Sequence, residues 1–102
     1  MAKLIAMYKT PTDSAAFDRH YFGAHVKLAK AIPGLKGYEV TRGPIMTPAG
    51  PAPYYLVAVL TFDSMASIQA ALASPQGQAT VADLGNFASA GVEILMADSE
   101  AV

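Results

Sequence analysis

The chain has 102 residues, one domain's worth, and reads as a single domain over residues 1–102. Hydrophobic residues make up 53% and charged ones 15%, with a net charge of −1, so no basic field exists to hold nucleic acid or an anionic membrane. Cysteine is absent, which excludes disulfides, thiolate catalysis and iron–sulfur clusters.

The first element, residues 3–9, is short, apolar and bounded by the turn Thr10-Pro11-Thr12-Asp13, so it reads as a strand. Asp13 offers an N-cap for a helix running to about Ile32, where Pro33-Gly34 stops it. At about 100° per residue, Phe17, Tyr21, Ala24, Leu28, Ala31 and Ile32 share one face, with His25 at its margin. Residues 37–42 alternate and suit a second strand. Residues 43–53 hold four prolines among glycines and are expected to form a loop and no other element, one that is either mobile or lies over a pocket entrance. Residues 54–62 form the third strand. Strict alternation puts Tyr54, Leu56, Ala58, Leu60 and Phe62 on one side and Tyr55, Val57 and Val59 on the other. Ser64 opens a second helix to about Ala73, Ser74-Pro75 restarts it, and residues 92–97 make the last strand.

The order β-α-β-β-α-β predicts an α+β, ferredoxin-like fold. Two helices then cover one face of a four-stranded antiparallel sheet. The other face is left uncovered although the third strand is apolar on both sides, so a homodimer is expected. No segment is long and apolar enough to span a bilayer, and nothing resembles a signal peptide. The expectation is a cytoplasmic protein with no membrane or nucleic-acid partner.

Candidate chemistry is sparse. There is no dinucleotide fingerprint, phosphate loop or nucleophile elbow, and no cofactor is implied. His20 and His25 are five apart, roughly 140° around an α-helix, which argues against a shared metal; none is expected. His25, four residues after Tyr21, reads either as a pocket-facing proton carrier or as a structural histidine bonded to the backbone. His20 reads as a solvated helix residue. Asp18 can reach His25 only through water or at full stretch, and Asp83 falls in the last turn of the short second-half helix. Tyr21, Tyr38 and Phe62 line a cavity or fill the core. Arg42 meets an anionic ligand or a surface carboxylate.

The run Phe17-Asp18-x-x-Tyr21-x-x-x-His25-x-x-Leu28, followed by Ile32-Pro33-Gly34-Leu35, resembles the EthD-like proteins, named for a component linked to bacterial degradation of ethyl tert-butyl ether. Phe62-Asp63-Ser64-Met65, Ser74-Pro75-x-Gly77 and Asp83-Leu84-x-Asn86-Phe87 resemble that family's second half, so the likeness runs from Leu4 to Met96. It implies a dimeric α+β barrel associated with small-molecule catabolism. From the residues themselves, His25 and Tyr21 are the catalytic candidates, and Tyr38, Phe62 and Arg42 the substrate-binding ones. Lys27 departs from the family, whose members commonly carry proline two after the histidine. Two readings stand open. One is an enzyme or accessory, carrying the family's reductase label, that binds a small apolar or aromatic molecule between helix and sheet. Its electrons would come from a partner oxidoreductase, a borrowed cofactor or the substrate. The other is a non-catalytic module that binds a hydrophobic ligand or a partner.

Overall fold

In the computed structural model, which describes residues 1–102, strands β1 (Ala2–Lys9), β2 (Gly37–Val40), β5 (Tyr54–Phe62) and β6 (Val92–Asp98) form one sheet. Its order is β2-β5-β1-β6, and every neighbouring pair is antiparallel. Helices α1 (Ser14–His20), α2 (Val26–Lys30), α3 (Met65–Ala73) and α4 (Pro75–Asp83) cross over between strands. This is the ferredoxin-like arrangement, with the helices on one face.

The caps form where serine and aspartate were placed by the sequence. Asp13 accepts from the Ala16 N–H, Ser64 from Ser67 and Ser74 from Gly77, with Pro75 in the first turn of α4. Alternation then sorts the sheet. Leu4, Ala6, Tyr8, Leu56, Ala58, Leu60 and Phe62 are buried beneath the helices. Ile5, Met7, Val57 and Val59 point to the other face and are only partly covered. Leu95 on the same face is 53% exposed. No helix is long and apolar enough to cross a membrane.

Three local features depart from the sequence reading. The first helix is not a continuous α-helix: Tyr21–His25 is a π-helical turn between α1 and α2. A π turn carries one extra residue, so every later side chain is rotated. The buried face therefore runs Phe17, Tyr21, His25, Ala29, Ile32, while Ala24 and Ala31 are exposed and Leu28 is half-buried. Second, the β1–β5 register slips between Tyr8 and Lys9, leaving Tyr55 as an extra residue in β5. The bulge exchanges the two tyrosines: Tyr55 packs on Phe17 and bonds Asp18 on the helix side, whereas Tyr54 bonds Glu93. Third, residues 43–53 are not all loop. Strands β3 (Met46–Thr47) and β4 (Gly50–Pro51) pair as a small hairpin. The Thr47 hydroxyl accepts from Ala49 N–H and donates to the Gly50 carbonyl, closing a turn that proline alone would leave unbonded.

Gly77 is buried at the α3–α4 elbow, where an added Cβ would collide with the Ala71 carbonyl. Backbone cannot swing away as a side-chain tip can. Gly77→Ala is therefore expected to destabilise by roughly 2 kcal/mol or more, read as a lower urea midpoint at unchanged slope.

Candidate functional site

The space between helices and sheet holds a cavity of about 130 Å³. That is close to the ~150 Å³ of an engineered apolar cavity able to hold benzene. Its walls are Leu4, Ala6, Ala29, Ala58, Leu60 and other apolar side chains. The polar groups entering it are Tyr8, Tyr21, His25, Tyr38 and Thr80. Small residues on three elements make the room, since alanine stands where strand and helix would otherwise meet with larger side chains.

His25 is 4% exposed. Its Nδ1 lies 2.9 Å from Asp83 Oδ2. A carboxylate only accepts, so Nδ1 carries the proton and Nε2 presents a lone pair. The Tyr8 hydroxyl is 3.5 Å from that Nε2, a long contact that a better donor can replace. Asp83 also accepts from His20 Nε2 at 2.8 Å and from the Asn86 amide at 2.9 Å. Phe87 stacks on His20 and tilts against His25. The π turn makes this cluster. A five-residue separation that places two rings far apart on an α-helix brings both onto one carboxylate here.

A second polar pair lies beside it. Tyr21 Oη and Tyr38 Oη are 2.7 Å apart. Two hydroxyls hold two protons and their mutual bond uses one, which leaves an O–H free to donate into the cavity. Every buried side-chain nitrogen and oxygen has a partner.

Burial sets the protonation states. It pushes the Tyr8, Tyr21 and Tyr38 hydroxyls up from their usual range, so all three stay neutral donors. Burial likewise pushes His25 down, against the pull of the Asp83 carboxylate, so the ring is neutral near pH 7. For Asp83, burial acts upward, but the hydrogen bonds from Asn86, His25 and His20 together hold it below the ordinary carboxylate value. The cluster is thus an oriented imidazole base, an ionised carboxylate behind it and neutral hydroxyl donors around an apolar space.

The sequence profile of the EthD domain matches residues 9–91. The chain belongs to the EthD family. It is 41% identical over its whole length, and over 98% of the relative's, to an uncharacterised 11.0 kDa protein of the thcB–thcC intergenic region in Rhodococcus erythropolis. It superposes on an EthD family protein of Bacillus halodurans with a TM-score of 0.90 at 36% identity, covering 98% of this chain and 99% of that one. At 14% identity it shares its fold with SnoaB, described as a cofactor-independent oxygenase, from Streptomyces nogalater; the TM-score is 0.70, over 99% of this chain and 94% of that one.

Within this EthD chain the sequence-selected residues divide. His25, Tyr21 and Tyr38 meet at the cavity. Phe62 is 1% exposed and does not line it; it belongs to the core beneath Gly34. Arg42 does not reach it either. Its guanidinium lies 4.3 Å from the centre of the Phe22 ring, on a separate surface cavity of about 420 Å³ that Gly43, Pro44 and Ile45 help to line. Within residues 43–53, Gly43, Pro44 and Ile45 therefore border that cleft, and none of the segment lines the histidine cavity. Asp18 accepts from the Tyr55 hydroxyl, and Lys27 is exposed and does not line the cavity. His20 is no solvated helix residue, since it bonds Asp83. Sequence reasoning passed over Tyr8, an ordinary strand residue by pattern, and weighted Asp83 low. The π turn that unites them leaves no mark in composition.

Proposed function

We propose that this EthD chain binds a single-ring or similarly small apolar molecule carrying an ionisable hydroxyl or enol, and that His25 takes its proton. The observation that carries this is a neutral, carboxylate-oriented imidazole at an apolar cavity, whose Nε2 is held only by the long 3.5 Å contact with the Tyr8 hydroxyl. A proton moves from the substrate oxygen or carbon to Nε2. The imidazolium formed is balanced by Asp83, and the substrate anion is held by hydroxyl donors of the Tyr21–Tyr38 pair and Tyr8. In an apolar enclosure those donors are worth more than in water. Such a role would suit small-molecule catabolism, the expectation drawn from the family resemblance. The same fold supports cofactor-independent chemistry in SnoaB, which suits a site whose own residues supply acid–base groups and no electron carrier. Phe62 and Arg42 have no part in it.

A nitrophenol tests the proposal, because its anion and neutral form differ in visible absorption. Saturating binding near pH 6 should yield the anion spectrum and raise the melting temperature. A probe bound wholly in the neutral form would count against His25 as the base.

We further propose that two copies pair through their uncovered sheet faces, with Ile5, Met7, Val57, Val59 and Leu95 at the contact. Such obligate interfaces bury about 2,000 Å² or more. Sedimentation at micromolar concentration should give twice the chain mass, and Val59→Lys should shift it towards one chain. A wild-type mass of one chain would end this proposal.

A further inference from the structure

Two imidazoles share one carboxylate, and the base assignment uses only one of them. His20 Nε2 sits 2.8 Å from Asp83 Oδ1 and 2.9 Å from Oδ2, while His25 Nδ1 sits 2.9 Å from Oδ2. Their access to water differs: the His20 side chain is 30% exposed and that of His25 is 5% exposed. We propose that His20 is a positioning residue that competes with His25 for Asp83, so that a charge on His20 occupies the carboxylate that would otherwise balance a proton on the buried His25 ring, and thereby sets how strongly His25 holds that proton. The purpose assigned to this competition rests on the base reading; the competition itself rests on the shared carboxylate.

One carboxylate balances one cation. With His20 protonated, the pair His20–Asp83 is neutral overall and His25 faces no net attraction for a further proton. Protonating His25 as well would set two imidazoliums on a single carboxylate, one of them in a dry site. Nothing else nearby relieves that charge. The groups facing the rings are the hydroxyls of Tyr8 on β1, Tyr38 on β2 by way of Tyr21, Thr80 on α4, the Asn86 amide and the Phe87 ring. All are uncharged, and no second carboxylate or lysine bonds to either histidine. Burial lowers the basicity of His25, and the charge of His20 acts in the same direction.

The arrangement depends on the π turn. Removing its extra residue would rotate His25 away from Asp83 by about 100° and leave His20 alone on the carboxylate.

The test is a pH titration of ring nitrogen signals by NMR in the wild type, His20→Gln and His20→Arg. Glutamine keeps a donor towards Asp83 but carries no charge, so the His25 midpoint should rise by roughly one unit. Arginine supplies a fixed cation and should keep the His25 midpoint at or below the wild-type value. An unmoved His25 midpoint in the Gln variant or an equal rise in both variants would overturn the inference. Where the Gln variant fails to fold, the Arg variant decides the matter, because a His25 midpoint above the wild-type value there would overturn the inference. Loss of nitrophenol ionisation with these shifts intact would remove the base reading and leave the competition standing.

Discussion

Asp83→Ala should lose about 3 kcal/mol of folding stability and most of the acid–base behaviour of the site together. The carboxylate is 8% exposed and gathers bonds from three side chains, His20, His25 and Asn86. Removing it strands the buried Nδ1–H of His25, and an unpaired buried donor costs about 1–3 kcal/mol. The other two donors can turn to water, which limits the loss. Asp83→Asn separates shape from charge. Its single carbonyl oxygen can accept from one histidine while its amide opposes the N–H of the other. The expected readout is a changed His25 tautomer with a smaller loss in stability.

The same cluster governs the response to acid, and the signs can be worked out. His25 is depressed below its ordinary value of 6.5 by burial, against Asp83. Its contribution to stability is complete above that unfolded value and is lost as the pH falls through the folded one, because the unfolded chain binds the proton first. Asp83 is held below 3.8 by its hydrogen bonds, which outweigh its burial, so its contribution is present above 3.8 and disappears below. Melting temperature should therefore decline in two stages, the first beginning near pH 6.5 and the second below pH 4. In Asp83→Ala the second stage should shrink. The first should deepen, because His25 then has no partner that favours its charged form. A melting temperature flat from pH 7 to pH 4 would contradict the buried, neutral state of His25.

Element order, caps and layer were legible in the sequence because each rests on local chemistry. Asp13, Ser64 and Ser74 cap wherever a helix follows, and alternation sorts a strand whatever it meets. The site was only half legible. His25 and Tyr21 stand on one helix four residues apart, so a wheel finds them as neighbours. Asp83 lies 58 residues from His25 and joins it only after α4 has packed beside the first helix. The one-residue irregularities carried the rest. A π turn moves His25 from the margin of the buried face to its centre. A bulge at Tyr55 turns one tyrosine in and another out. Neither has a compositional signature, because tertiary packing pays its modest local cost.

His25→Ala should cut affinity for the ionised nitrophenol by about 10–100-fold while leaving the neutral form bound within a few-fold. A hydrogen bond to a charged group is worth about 1.5–3 kcal/mol, which sets that range. The tyrosine donors remain, so an oxygen still finds a partner in the cavity. What disappears is the acceptor for its proton, and the bound probe should stay neutral near pH 6. Stability should fall by only about 1–3 kcal/mol, because Asp83 keeps His20 and Asn86 while the ring's packing on Phe87 and Tyr21 is lost. Ile68→Ala is the matching control. Ile68 is 0% exposed and does not line the cavity, so its truncation should cost about 2–5 kcal/mol and leave the probe's ionisation unchanged. If a proton on the substrate is what His25 handles, the two variants separate on the spectrum: His25→Ala dims the anion signal, whereas Ile68→Ala lowers the melting temperature at least as much and leaves that signal unchanged. Anion binding that survived His25→Ala undiminished would assign the proton to a different group, with Tyr8 the nearest to examine by Tyr8→Phe.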